Sequence, residues 1–107
     1  MDSMQRLVQW WRAQCDGEWE HEFGITIETM DNPGWLVKID LSYTNADVQS
    51  FEPISERRSD TDWCRCTIAR GSARGSTEDD LEHFVGMGGP GNLNEILERF
   101  LRLVDVD

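Results

Sequence analysis

Two short segments in which apolar and polar residues alternate, separated by a turn sequence, constrain the fold most. The apolar members are Phe23, Ile25 and Ile27 in the first segment and Trp35, Val37, Ile39 and Leu41 in the second. A period of two places alternate side chains on opposite faces of a β-strand. Between the segments, Pro33 fixes φ and Gly34 accepts the positive φ of a type II turn. The pattern therefore predicts an antiparallel hairpin with an apolar face and a polar face, the latter carrying Glu22, Glu28, Lys38 and Asp40.

The first residues predict an amphipathic helix. Asp2 can cap it, Gln5 can complete a capping box, and Gly17 supplies the left-handed residue that ends it. The apolar stripe at helical spacing consists of Met4, Leu7, Val8, Trp11 and Cys15. We therefore expect Trp11 to lie in the core, as we do Trp35. Trp10 lies about 120° from the centre of the stripe, so it either packs at the flank of the core or is exposed to a partner.

The second half of the chain predicts two more strands, over residues 62–70 and 81–87, and a closing helix. Phe51 and Ile54 are expected to hold the polar segment 42–61 against the core, and segment 71–76 is flexible by composition. Asn92 and Glu95 are expected to cap the last helix as a capping box. Its apolar residues at helical spacing are Leu93, Ile96, Leu97, Phe100, Leu101 and Val104.

These elements predict an α+β domain spanning residues 1–107, with the order α-β-β-β-β-α. Strands that follow one another through turns favour an antiparallel four-stranded sheet, and both helices would pack on its apolar face in a two-layer arrangement. A chain of 107 residues supports one core without disulfides or metal. No segment approaches the roughly 20 apolar residues that cross a bilayer, and we expect no leader peptide.

The charge of the chain excludes several partners. With 21 acidic and 10 basic side chains the net charge is −11, which opposes binding to nucleic acid or to anionic membranes. It favours a basic partner, although acidity alone also serves solubility. The three cysteines are odd in number, which indicates a reducing cytoplasm and not a disulfide framework.

Two motifs match chemical signatures in spacing but not in context. Residues 86–91 have the glycine spacing of a dinucleotide-binding turn, yet only 16 residues follow Gly91, too few for the second parallel strand. We interpret this segment as a tight connection before the last helix. Cys64 and Arg70 have the spacing of a cysteine phosphatase, but the residues between them predict a strand, which cannot wrap its amides around phosphate.

Cys64 and Cys66 are expected on the same face of a strand. With His21, His83 or Cys15 they could form a zinc site, although the two-residue knuckles typical of zinc ligands are missing. Buried small hydrophobic residues are the favoured interpretation, so we expect no cofactor. A small metal- or thiol-dependent enzyme that uses Cys64, Cys66, His21 and His83 is the alternative function.

Residues 16–22, Asp-Gly-Glu-Trp-Glu-His-Glu, combine four carboxylates with an indole and an imidazole. Carboxylates in a solvated turn are poorly suited to acid–base catalysis, which requires shifted pKa values. They suit a binding surface, because tryptophan supplies contact area and the acids complement Arg and Lys. The alternative is an ordinary solvated turn with Trp19 in the core.

Three blocks of the chain resemble the immunity protein 53 family. The first is Trp11-x3-Cys15-Asp16-Gly17-x-Trp19-Glu20-His21-x2-Gly24-Ile25. The second is Glu28-Thr29-x-Asp31-Asn32-Pro33-Gly34-Trp35, followed by Lys38-Ile39-Asp40-Leu41. The third is Gly88-Gly89-Pro90-x-Asn92-Leu93-x-Glu95-Ile96-Leu97. The resemblance implies a bacterial immunity protein of a polymorphic toxin system, which binds and neutralises its cognate toxin in the cytoplasm.

The leading hypothesis is therefore an inhibitor that is not itself an enzyme and that occludes the toxin's active site or substrate path. Nuclease toxins are often cationic because their substrate is anionic, so a cationic nuclease is the hypothetical target. The candidate contact residues are Trp10, Glu18, Trp19, Glu20, His21, Glu22, Glu28 and Asp40.

Overall fold

The computed structural model describes residues 2–104 as an α+β fold with five strands. The elements are α1 (Ser3–Gln14), α2 (Trp19–Glu22), β1 (Ile25–Met30), β2 (Gly34–Asp40), a 3-10 turn (Val48–Ser50), β3 (Ile54–Arg57), β4 (Trp63–Arg70), β5 (Glu82–Gly88) and α3 (Leu93–Leu103). The strands form one antiparallel sheet in the order β1-β2-β5-β4-β3. The predicted class is confirmed, while the predicted number of four strands is wrong.

The strand that the sequence pattern missed is β3, at an edge of the sheet. It pairs with β4 from Ile54 opposite Cys66 to Arg57 opposite Trp63. Only Ile54 contributes an apolar side chain to the core, and the other three residues are exposed. Short, charged edge strands of this kind are made by backbone pairing, so they leave no alternation to recognise.

The predicted β1–β2 hairpin is confirmed, but the role assigned to Gly34 is wrong. Ile25 lies opposite Ile39 and Ile27 opposite Val37, which aligns the apolar rows. Gly34 begins β2 and does not have a positive φ. A Cβ atom there would lie 2.4 Å from the carbonyl oxygen of Gly88, so the close approach of β5 requires the glycine.

α3 packs directly on the central part of the sheet. Its buried residues Ile96, Leu97 and Phe100 form one core with Val37, Ile39 and Phe84. We call the face that α3 covers the inner face and the opposite face the outer face. At Gly86 a Cβ atom would lie 2.3 Å from Ile96 Cγ2, so the glycine brings helix and sheet close together.

The predicted capping box of α3 is wrong, because the Asn92 side chain makes no cap hydrogen bond. Its Oδ1 accepts a hydrogen bond from the amide of Trp63, and its Nδ2 donates to Asp62 and Glu95. These bonds fix the start of α3 to the start of β4. The interpretation of residues 86–91 as a tight connection agrees with this geometry, since Gly89 N donates to Trp63 O.

The capping box of α1 is confirmed, but its buried face differs from the predicted stripe. Gln5 N donates to Asp2, and Asp2 N donates to Gln5. The buried residues of α1 are Ser3, Leu7 and Trp10, whereas Met4, Val8 and Trp11 are exposed. α1 packs mainly against α3 rather than on the sheet, with the rings of Trp10 and Phe100 4.8 Å apart.

This packing decides which tryptophan is in the core. Trp10 is 3% exposed and its indole N–H donates to Asn45, so packing at the flank is the correct alternative. Trp11 is 37% exposed, and its predicted core position is wrong. Trp35 is half-buried, and its indole donates to the carbonyl of Pro90. α3, not the sheet, sets the orientation of α1. The apolar stripe in the α1 sequence does not show which element the helix packs against.

We predict that Trp10→Ala lowers the free energy of unfolding by about 3–5 kcal/mol, as expected for a large truncated core side chain. Trp11→Ala is the matched control and should cost clearly less, because its ring is already partly in water. Urea unfolding of both variants tests this. Equal losses, or a larger loss for Trp11→Ala, would contradict the assigned orientation of α1.

Candidate functional site

Two adjoining grooves lie at the end of the sheet where β2 and β4 finish and β5 begins. The first has a volume of about 580 Å³ and is lined by Gln14, Asp16, Gly17, Glu18, Trp19, His21, Glu22, Phe23 and Tyr43. The second has a volume of about 390 Å³ and is lined by Glu22, Phe23, Tyr43, Ser72, Arg74, Ser76, Glu78, Asp80 and Leu81. Because both grooves share Glu22, Phe23 and Tyr43, they form one surface, which we call the acidic end.

One wall of the first groove is a turn of the chain. Two carboxylates within this turn stabilise its conformation. Asp16 accepts hydrogen bonds from the amides of Glu18 and Trp19, each 2.9 Å long. Glu20 accepts hydrogen bonds from the amides of Asp16 and Gly17. Hydrogen bonds from backbone amides lower the pKa of both carboxyl groups, so they are ionised at neutral pH. These two acids therefore stabilise the turn that carries the others.

The remaining polar residues of this turn and of α2 are free to meet a partner. Glu18, His21 and Glu22 are exposed. None of their side chains hydrogen-bonds to another residue within 2–104. Glu18 lies at the N-cap of α2, and His21 and Glu22 lie on the helix itself, so that all three line the first groove. Of the predicted contact residues, these three have accessible side chains that no structural bond occupies.

Trp19 lies beneath this surface and not on it. Its side chain is 5% exposed, clusters with Phe23 and Leu81, and donates its indole N–H to the carbonyl of Ser42 at 2.9 Å. Its ring also makes an edge contact with Trp10 at 6.2 Å. The alternative interpretation of residues 16–22, with Trp19 in the core, describes this tryptophan correctly.

Asp40 does not lie on a solvated face of the sheet, as predicted, but is fully buried. Its carboxylate accepts hydrogen bonds from the amides of Gly24 and Ala73, both 2.8 Å long. The strand register does place it on the outer face, opposite His83. Residues 71–73 fold against this part of that face, and Gly71 O lies 2.8 Å from His83 Nδ1. The sequence pattern gave the correct face but could not show what covers it.

A second contact joins the two walls of the acidic end. The guanidinium of Arg74 donates to the carbonyl oxygens of His21 and Glu20, at the carboxyl end of α2. Together with Asp40 it attaches the segment 71–80 to α2 and to the end of β2. Cationic side chains are favourable at this end of a helix, because they bond its unpaired carbonyl groups.

Sequence reasoning missed Tyr43, which stands between the two grooves. It is the chain's single tyrosine, it is 78% exposed, and its φ of 62° is the only positive value for a non-glycine residue within 2–104. Its ring centre lies 5.8 Å from that of Phe23. An isolated tyrosine in a polar loop gives a weak signal, because neither its exposure nor its backbone conformation can be read from the sequence.

Comparison with known proteins identifies the family of the chain. The family description immunity protein 53 matches residues 4–105. The chain belongs to the immunity protein 53 family. This confirms the resemblance seen in the three sequence blocks and indicates an immunity function in general. Curated proteins and solved structures give no significant match.

The structure of this immunity protein does not bring the residues of the enzyme alternative together. Cys64 and Cys66 lie on the inner face with their sulfur atoms 3.8 Å apart, and both are buried. His83 lies on the outer face, and His21 lies on α2. The hydrogen bond that the Cys66 thiol donates to Cys64, together with burial, raises the pKa of Cys66. Among residues 2–104 there is no group of three metal-binding side chains.

Glu28 is exposed on β1 but lines neither groove, so the structure separates it from the other predicted contact residues.

Within residues 2–104 no helix has both the length and the apolar character that crossing a bilayer requires.

We predict that Asp40→Ala loosens the acidic end of this immunity protein. The substitution leaves the buried amides of Gly24 and Ala73 unpaired, at a cost of about 1–3 kcal/mol each. The free energy of unfolding should fall, and trypsin should cleave after Arg74 faster than in the parent. Asp31→Ala, at an exposed turn, is the control. Parent-like stability and parent-like cleavage of Asp40→Ala would show that this carboxylate does not hold the loop.

Proposed function

We propose that this immunity protein neutralises a bacterial toxin by binding it directly through the acidic end, so that the toxin's active site or substrate path is covered. The observation that carries the proposal is Tyr43, which is exposed and in a left-handed conformation between two grooves lined with carboxylates. Membership of an immunity family supports a toxin as the partner.

The position of Tyr43 is costly for the free protein. A non-glycine residue at positive φ costs about 1–3 kcal/mol, and its exposed ring contributes little to the core. Tyrosine is common among the residues that dominate binding energy, because a rigid ring buries a large area and its hydroxyl can hydrogen-bond. Burial of this ring by a partner would compensate for the strain, which supports a role in binding.

The charges around Tyr43 favour a basic partner. Asp16, Glu18 and Glu22 line the first groove, and Glu78 and Asp80 line the second. Cationic side chains of the toxin would relieve the repulsion between these carboxylates. We propose a cationic toxin domain in the bacterial cytoplasm, with a nuclease as the hypothetical target, because a nuclease surface is built to attract phosphates.

The predicted contact residues divide into two groups in this proposal. Glu18, His21 and Glu22 contact the toxin. Glu20, Trp19, Trp10 and Asp40 support them from below, through the hydrogen bonds and packing of the acidic end. Glu28 lies apart on β1 and is not included in the contact surface.

The electrostatics support binding rather than catalysis. The pKa values of Asp16 and Glu20 are lowered by backbone amides, whereas a general acid at neutral pH needs a raised pKa. The side chains required by the enzyme alternative are not brought together, since its cysteines and His83 lie on opposite faces of the sheet.

We predict that Tyr43→Asn weakens binding of the toxin encoded beside the immunity gene by at least about tenfold, mainly through faster dissociation. Asparagine tolerates a left-handed backbone, so the variant should be at least as stable as the parent. Surface plasmon resonance and urea unfolding measure the two effects separately. Trp11→Ala, an exposed aromatic residue on α1, is the control and should bind as the parent does.

One result would contradict the predicted interface, and another would contradict the proposed function itself. If a folded variant binds with parent affinity while Trp11→Ala binds more weakly, the interface lies on α1 and not at the acidic end. If the parent itself forms no complex with the toxin, immunity does not act through direct binding and the proposed function is wrong.

We also predict that the carboxylates act mainly on the rate of association. Glu18→Gln combined with Glu22→Gln should lower the association rate several-fold and change dissociation little, and high salt should reduce the difference. The control, Glu28→Gln with Asp31→Asn, removes the same charge from the β1–β2 hairpin. An equal loss in the control would mean that net charge, not the acidic end, steers the toxin.

A further inference from the structure

The edge of the sheet next to the acidic end contains an unpaired stretch of strand. β4 runs from Trp63 to Arg70, but β3 pairs with it only as far as Cys66. Residues 67–70 therefore have a partner strand on one side, β5, and none of the described residues forms a strand on the other side.

The register identifies which backbone groups face this open side. In antiparallel pairs, successive residues direct their N–H and C=O groups to alternate neighbours. The bond from Gly89 N to Trp63 O shows that odd-numbered residues of β4 face β5. Ile68 and Arg70 thus direct their amide and carbonyl groups away from β5. No residue within 2–104 forms a backbone hydrogen bond with them on that side.

A groove of about 380 Å³ lies along this open edge. Its apolar wall is formed by Val48, Phe51 and Pro53, and its floor by residues 67–70. The chain before β3 does not fill the edge: the register places Glu52 opposite Ile68, but Glu52 lies outside β3, and within residues 2–104 no backbone hydrogen bond joins the two. The far end of the groove is acidic, with Asp79, Asp80 and Glu82.

We infer that this edge binds an extended segment of the toxin as an additional strand of the sheet. This rests on the proposed function, since Asp80 lines both this groove and the second groove of the acidic end, which makes the two surfaces continuous. An unpaired strand edge pairs with another extended backbone, and side-chain pockets then select its sequence.

The groove also defines the chemistry of the segment. The toxin residue opposite Ile68 faces the apolar wall of Val48 and Phe51, so an aliphatic or aromatic side chain fits there. Two residues further along, near Arg70, the rim carries Asp79 and Asp80. A lysine or arginine fits at that end. An apolar residue and a basic residue two positions apart are the pattern that this edge recognises.

Amide hydrogen exchange of the immunity protein, alone and with the toxin bound, tests the inference. The amides of Ile68 and Arg70 should exchange rapidly in the free protein and at least about tenfold more slowly in the complex. A complex that forms but leaves both rates unchanged would overturn the added strand while the proposed function stands. Absence of any complex would overturn the proposed function and this inference with it.

The same measurement decides between the toxin and a second copy of this chain. Protection that already appears in the free protein and grows with its concentration would assign the edge to self-association and overturn the inference. Protection that appears only with the toxin supports it.

A pair of variants tests how much the outward N–H of Arg70 contributes to toxin binding. Arg70→Pro removes the outward N–H without breaking a bond to β5, and Arg70→Ala removes the same side chain but keeps the N–H. Arg70→Pro should bind the toxin at least about tenfold more weakly than Arg70→Ala. Equal affinities of two folded variants would overturn the inference, and the exchange rates decide the question if Arg70→Pro does not fold.

Discussion

The acidic end depends on one buried carboxylate. Asp40 accepts hydrogen bonds from Gly24, which follows α2, and from Ala73, which begins the loop on the other side. A buried charge is costly unless such bonds satisfy it, so these two amides must stay in place for the fold to be stable. The same carboxylate thus fixes both walls around Tyr43. Asp40 makes no contact with solvent, and yet it determines the shape of the solvent-exposed acidic end.

The carboxylates that favour binding of a basic partner also lower the stability of the free protein. A protein with a net charge of −11 that also concentrates carboxylates on both sides of one tyrosine repels itself at that surface. Part of this repulsion is reduced within the fold, because backbone amides bind Asp16 and Glu20, and Arg74 bonds the end of α2. Glu18, Glu22 and Glu78 have no such partner among the described residues. A functional surface with unfavourable local terms is expected where a partner supplies the compensation.

The sequence predicted those features that local pattern determines. The β1–β2 hairpin, α3 and the Asp2 cap follow from periodicity and from short-range hydrogen bonds. The errors arise where a distant segment decides. α1 turns Trp10 inward because it packs on α3, Gly34 is required by β5, and Asp40 is covered by residues 71–73. β3 exists through backbone pairing with β4, and Tyr43 becomes prominent only when both grooves are assembled. Four of the eight predicted contact residues are exposed as expected, because charged side chains in a turn and on an edge strand remain in water: Glu18, His21, Glu22 and Glu28.

The two proposed surfaces would contribute different properties to recognition. Backbone pairing at Ile68 and Arg70 supplies hydrogen bonds that carry almost no sequence information, because every toxin segment has the same backbone. Discrimination between toxins must then come from side chains, namely Tyr43, the carboxylates and the apolar wall at Phe51. Asp80 borders both surfaces, so a basic residue bound there is close to the added strand and to the tyrosine at once. A toxin that pairs with the edge but lacks this basic residue would leave the carboxylates desolvated and unpaired, which is how an interface rejects a wrong partner.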